Sequence, residues 1–195
     1  MLNLKKIAVT GPISSGKSTV ASYLQKLGAF VLDSDAIVHQ LLYSNGSLRK
    51  QIVTLLGKDI LKEGVIDREK IAEKVFKQPR TLGELERLIH PHVIEEIYRQ
   101  YETTKRSFSH TLFVVEAPLV FEIGLEDWFD CVVLVLAEET IRKRRCTKSH
   151  YDQRMQRQQS LEKKKALSNY ILENNGSTQE LQKKTRQLYS QLTHL

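Results

Sequence analysis

Residues 6–33 read KIAVTGPISSGKSTVASYLQKLGAFVLD, and the fold is decided there. Residues 6–10 form a short, β-branched, apolar run that stops at Gly11. From residue 17 to residue 27 the apolar positions change period and return at helical spacing, through Val20, Ala21, Leu24 and Leu27. Gly28 ends that helix, and residues 29–33 (AFVLD) are a second apolar strand with acidic residues at its carboxyl end. Strand, loop, helix and strand in this order make a βαβ unit, so the two strands lie parallel.

Outward from this unit, residues 34–101 keep helical spacing, broken at Asn45-Gly46, Gly57, Gly64 and Pro79, with Asp67 placed to cap the segment holding Ile71, Ala72, Val75 and Phe76. The spacing predicts a helical insertion over residues 45–104. Residues 111–118 (TLFVVEAP) and 131–136 (CVVLVL) are continuous apolar runs, the pattern of strands covered on both faces of a parallel sheet. A basic stretch follows, with Arg142, Lys143, Arg144, Arg145, Lys148, Arg154 and Arg157. The short NYILEN segment then leads to Asn174-Asn175-Gly176 and a last helix, opened by the capping pair Ser177 and Glu180 and striped by Leu181, Leu188 and Leu192. The expected fold is α/β with three layers and a parallel sheet of about five strands.

Composition limits the function classes. With 195 residues, 41% hydrophobic and 27% charged, the chain buries a core of ordinary domain size and is not intrinsically disordered. Cys131 and Cys146 are too few for a disulfide framework and lack zinc-site spacing. The opening MLNLKKIAVTG has neither the apolar run of a leader nor that of a spanning helix, so the expected location is cytoplasmic. A net charge of +7 suits nucleic acid, a membrane surface or an anionic small substrate, and does not choose among them.

The loop supplies the chemistry. Gly11-Pro12-Ile13-Ser14-Ser15-Gly16-Lys17-Ser18, with Thr19 next, fits G-x-x-x-x-G-K-[ST] without departure. The two glycines let the backbone curl so that successive N–H groups face phosphate oxygens, and the helix opening near Lys17 adds its positive end. Lys17 supplies a charge to the β and γ phosphates, and the Ser18 hydroxyl suits Mg²⁺. This predicts an ATP-type site with Mg²⁺. Neither N-K-x-D nor D-x-x-G of a GTPase occurs, which leaves a small-molecule kinase as the leading class.

On the acceptor side, Asp33-Ser34-Asp35 follows the second strand. One carboxylate there can orient or deprotonate a hydroxyl while another holds Mg²⁺ through water; the other reading is a helix cap. Glu116, ending its strand, is either a further water-mediated Mg²⁺ partner or a core-edge carboxylate. His90, before Pro91, either serves the acceptor or marks a helix-terminating turn, and the His90-x-His92 pair is a poor metal site. Arg68 is either a solvated first-turn charge or a fork for a phosphate-bearing acceptor.

Together these residues resemble the dephospho-CoA kinase family. The resemblance runs over nearly the whole chain: the glycine loop, Asp33-Ser34-Asp35-Ala36-Ile37 with His39, Asp67-Arg68-Glu69-Lys70-Ile71-Ala72 leading to Val75-Phe76, Ile89-His90-Pro91-His92-Val93, Pro118-Leu119-Val120-Phe121-Glu122, and Asn174-Asn175-Gly176-Ser177. It implies a P-loop kinase fold with strand order 2-3-1-4-5, an acceptor-binding insertion and a lid over residues 142–158. The implied reaction is ATP-dependent phosphorylation of the ribose 3′-hydroxyl of dephospho-CoA, the last step of coenzyme A biosynthesis.

By the same resemblance Asp35 is the catalytic aspartate, and His39, Arg68, His90, Pro118, Leu119, Phe121 and Glu122 line the acceptor pocket. Asn174 lies near the adenine of ATP. The basic stretch is shorter than the family pattern, with Lys148 where an arginine is typical; Arg144, Arg154 and Arg157 are the candidates to neutralise transferring phosphate, the other readings of the stretch being a solvated basic helix face and nucleic-acid contact. A nucleoside or nucleotide kinase and a nucleic-acid-stimulated ATPase are the alternatives. Against the latter, Tyr151 is the one aromatic in the basic stretch. ATP and dephospho-CoA are the expected small-molecule partners, with no nucleic acid and no membrane.

Overall fold

The computed structural model describes residues 4–75, 78–146, 155 and 158–194. The elements in chain order are β1 (Lys5–Thr10), α1 (Lys17–Lys26), β2 (Phe30–Asp33), α2 (Ser34–Ser44), α3 (Gly46–Leu56), β3 (Leu61–Lys62), β4 (Val65–Ile66), α4 (Arg68–Val75), α5 (Pro79–Ser107), β5 (Leu112–Glu116), β6 (Cys131–Leu136), α6 (Glu139–Arg145), α7 (Leu161–Leu167), β7 (Tyr170–Glu173) and α8 (Thr178–His194). They form two compact units, one of residues Met1–Asp33 with Gln100–Leu195, the other of residues Ser34–Arg99. Among the described residues no helix is long and apolar enough to cross a membrane.

The first unit is built on a five-stranded parallel sheet in the order β2-β5-β1-β6-β7. Counted among its own five strands this is 2-3-1-4-5; the labels run higher because a hairpin, β3 and β4, intervenes in the sequence. Every residue of β5 and β6 is buried, as continuous apolar runs require when both faces are covered. On one face Val20 and Leu24 of α1 meet Leu181, Leu188 and Leu192 of α8 over Ile7, Val9, Val133 and Val135. On the other, Phe113 packs against Phe30, Tyr101 and Trp128 with ring centroids 5.5, 5.3 and 6.3 Å away. Each such buried side chain contributes about 1.5–3 kcal/mol.

Register fixes the working edge. Asp33 of β2 and Val9 of β1 both stand opposite Glu116 of β5, and Thr10 stands opposite Leu134 of β6. The loops that follow these strands therefore leave from one edge, the carboxyl edge, where open α/β sheets hold ligands.

The second unit is not wholly helical. Residues 61–66 form an antiparallel hairpin, with Leu61 opposite Ile66 and Lys62 opposite Val65. Glu63 and Gly64, at φ 52° and 80°, make its two-residue turn. Two successive left-handed residues are the primed turn that matches strand twist, so Gly64 marks a hairpin and not an interruption between helices. Asp67 caps α4 as its position predicts, its Oδ1 accepting the Glu69 N–H at 2.9 Å. Pro91 does not terminate a helix: it lies inside α5. A proline there forgoes one backbone bond at a cost of about 3 kcal/mol, offset by the buried stripe Leu85, Ile89, Val93 and Ile97 on both sides of it.

Candidate active site

Residues 11–18 connect β1 to α1 at the carboxyl edge of the sheet. Gly11 and Gly16 have φ of +145° and +100°, and Ser14 adopts +60°. A Cβ on Gly11 would come within 2.1 Å of the Val135 carbonyl oxygen, and one on Gly16 within 2.2 Å of Asn174 Nδ2. Both glycines are thus required twice, by backbone conformation and by what packs against them. The Ser15 N–H donates to the Pro12 carbonyl at 3.2 Å, closing the curl. Lys17 is buried and its Nζ donates to the same carbonyl at 3.0 Å, which stations the ammonium over the loop.

Ser18 opens toward the neighbouring strand. Its hydroxyl donates to Glu116 Oε1 at 2.8 Å, and Glu116 is 8% exposed. The sheet register sets Asp33, exposed at the end of β2, beside Glu116. Hard oxygen donors of this kind, one hydroxyl and one or two carboxylates, fit Mg²⁺, which takes few protein ligands and completes its shell with substrate phosphates and water. Among the described residues no cluster of three His, Cys, Asp or Glu offers an all-protein metal cage.

Asn174 stands at the end of β7 and is buried. Its Nδ2 donates to the Ser15 carbonyl at 2.8 Å, and its own N–H donates to the Leu136 carbonyl at 2.7 Å. Asn174 therefore grips the phosphate loop from the sheet side. A trans peptide carries its C=O and N–H on opposite sides, so holding the Ser15 carbonyl toward Asn174 turns the Gly16 N–H the other way.

The segment after β5 is anchored more firmly than a pocket lining needs. Phe121 is 3% exposed and belongs to the core, whereas Pro118 and Leu119 are half-buried. Glu122 pairs with Lys164 at 2.8 Å. Lys164 carries no mark in the sequence, being the middle of three consecutive lysines. Helical periodicity gives no help in so short a helix as α7, and the buried member is revealed by packing alone.

Of the basic residues, Arg142 is buried with its Nε donating to the Ala137 carbonyl at 3.0 Å, so it ties α6 to the end of β6. Arg144 is exposed on α6, and Arg145 donates to the Asn174 carbonyl at 3.1 Å. Lys148, Tyr151, Arg154 and Arg157 lie outside the described residues, as does Phe76.

Asp35, His39, Arg68 and His90 all belong to the second unit. Asp35 is exposed in the first turn of α2, two residues beyond β2, and His39 follows one turn later with its ring 4.9 Å from that of Tyr43. Arg68 is the exposed first residue of α4. Burial holds the His90 imidazole below the usual histidine range, so it stays neutral near pH 7.

A glycine loop wrapped by a parallel sheet in this order, with a lysine, a hydroxyl and a carboxylate at its mouth, defines a P-loop kinase. The chain matches the dephospho-CoA kinase family over residues 5–180. It is 40% identical to the dephospho-CoA kinase of Protochlamydia amoebophila, covering 98% of each chain. Among solved structures it resembles a protein of Thermus thermophilus, with a TM-score of 0.78 and 30% identity over 97% of this chain and 98% of that one. The dephospho-CoA kinase of Campylobacter jejuni gives a TM-score of 0.72 and 25% identity over 97% of each chain. The chain belongs to the dephospho-CoA kinase family.

Proposed function

We propose that this chain transfers the γ-phosphoryl group of ATP to the ribose 3′-hydroxyl of dephospho-CoA, giving CoA and ADP. The observation that carries the reading is the family match across residues 5–180, which includes an intact phosphate loop whose Ser18 is bonded to Glu116. The loop N–H groups and the positive end of α1 receive the phosphates. Lys17 exchanges its Pro12 carbonyl for phosphate oxygens. Ser18, Glu116 and Asp33 are the residues that would hold Mg²⁺, which would neutralise phosphate charge during transfer.

Asp35 accepts the proton of the 3′-hydroxyl as the new O–P bond forms and the bond to ADP breaks. His39 of α2, Arg68 and His90 of the insertion, and Pro118 and Leu119 contact the acceptor. Residues 142–158 form the lid, with Arg144 and Arg154 neutralising the transferring group, and closure keeps water from competing with the hydroxyl. The test is transfer from ATP with Mg²⁺ to dephospho-CoA, the product identified by mass and by NMR of the phosphate position. A new 3′-phosphate is the expected result; a folded, ATP-binding protein that produces none refutes the reading.

A further inference from the structure

Lys164 is 1% exposed, although Lys163 and Lys165 on either side of it are exposed. Its Nζ sits 2.8 Å from Glu122 Oε1 and donates to the Pro118 carbonyl at 3.3 Å. The same carbonyl accepts from Thr10 Oγ1 at 3.4 Å, and Thr10 is the fully buried last residue of β1, immediately before Gly11. Gln159 closes the other side: its N–H donates to Glu122 Oε1 at 2.8 Å and its Nε2 to the Phe121 carbonyl at 3.0 Å. The ammonium thus joins α7 to the loop after β5, and the Pro118 carbonyl it holds is the one that Thr10, at the base of the phosphate loop, also reaches.

A buried ion pair adds little net stability, because desolvation of both charges cancels most of their attraction, and an apolar pair of similar volume is often as stable. What the charges add at this place is direction. The ammonium holds a carboxylate and a backbone carbonyl of the same loop at once, and an apolar side chain would hold neither. We propose that Lys164 is a positioning residue: through Pro118 and Glu122 it sets the backbone of residues 118–122 relative to the phosphate loop, and so aligns the acceptor for transfer. This rests on the proposed function, in which Pro118 and Leu119 of this segment face the acceptor.

The experiment compares Lys164→Met, Lys164→Arg and the double variant Lys164→Met/Glu122→Gln in the full chain with MgATP and dephospho-CoA. It reads the KM of each substrate, kcat, and ADP formed per CoA formed. Lys164→Met is expected to lower kcat/KM for dephospho-CoA at least about tenfold while the KM for ATP stays within about twofold, as for misplacement of one reactant. ADP formed will then exceed CoA formed. Lys164→Arg restores part of the loss.

The double variant removes the uncompensated carboxylate and so folds, yet it keeps the defect because the Pro118 carbonyl has lost the Lys164 ammonium and keeps only the 3.4 Å bond from Thr10. Full recovery of kcat/KM in the double variant, or a parallel rise in both KM values, would overturn the inference and leave a structural ion pair. No transfer by the wild-type chain overturns the functional reading and this inference with it; normal transfer with an unimpaired double variant overturns the inference alone.

Discussion

Replacing Asn174 by leucine keeps the approximate shape of the side chain and deletes the 2.8 Å bond to the Ser15 carbonyl. The bond is buried, so its loss leaves a carbonyl without its amide donor at a cost of about 1–3 kcal/mol. If that cost falls on the geometry of the phosphate loop, ATP affinity drops about 5- to 150-fold. Asn175→Leu is the internal control. Asn175 Oδ1 accepts the Glu138 N–H at 2.9 Å, a bond of similar length one residue away that does not touch the loop. The assay pairs titration with a fluorescent ATP analogue against thermal unfolding of both variants. Asn174→Leu is expected to lose nucleotide affinity, and Asn175→Leu to lose thermal stability with affinity within about twofold of wild type. Should Asn174→Leu bind ATP as tightly as Asn175→Leu does, the grip on Ser15 does not set the loop and the reasoning is wrong.

Ser18→Ala removes the hydroxyl bonded to Glu116 and is expected to raise the Mg²⁺ concentration for half-maximal rate at least about tenfold; a Mg²⁺ titration at fixed ATP shows whether it does. Cys131 is buried in β6, and burial, with the neighbouring Asp130 carboxylate adding to it, pushes its thiol up to about 11. At pH 8 only about one molecule in a thousand carries its thiolate, so a disulfide thiol reagent will reach Cys131 only after guanidinium unfolding, while a second native-state equivalent would contradict its burial. For His90 the folded pKa lies below the unfolded one because of burial. The unfolded chain therefore takes up the proton first, and this residue's contribution is complete above about pH 6.5 and lost as the pH falls below it. Thermal midpoints measured from pH 7.5 down to 5 will fall less steeply for His90→Phe than for wild type; equal slopes would remove His90 as a cause.

The sequence by itself determined whatever depends on residues close together in the chain. The spacing of Gly11, Gly16, Lys17 and Ser18 specifies the phosphate loop. The change from strand to helix period across it specifies a parallel βαβ unit, and continuous apolar runs specify β5 and β6. The capping box at Ser177 and Glu180 is likewise local, with Glu180 N–H and Ser177 hydroxyl 3.2 Å apart. The hairpin over residues 61–66 was less legible, since four strand residues carry no measurable period and Gly64 reads equally as a break between helices.

Tertiary structure decided which of several chemically equivalent side chains does the work. Ser18 and Glu116 are 98 residues apart, Asn174 and Ser15 are 159 apart, and Lys164 and Pro118 are 46 apart. No local pattern separates Lys164 from Lys163 and Lys165, or marks Phe121 as core and Asn174 as a clamp on the loop. Burial and hydrogen-bond satisfaction are set by whatever the folded sheet brings alongside a residue, and a buried polar group must find its partner there. The loop chemistry is written in consecutive residues, whereas the contacts that hold it in place exist only once β1, β5, β6 and β7 have assembled.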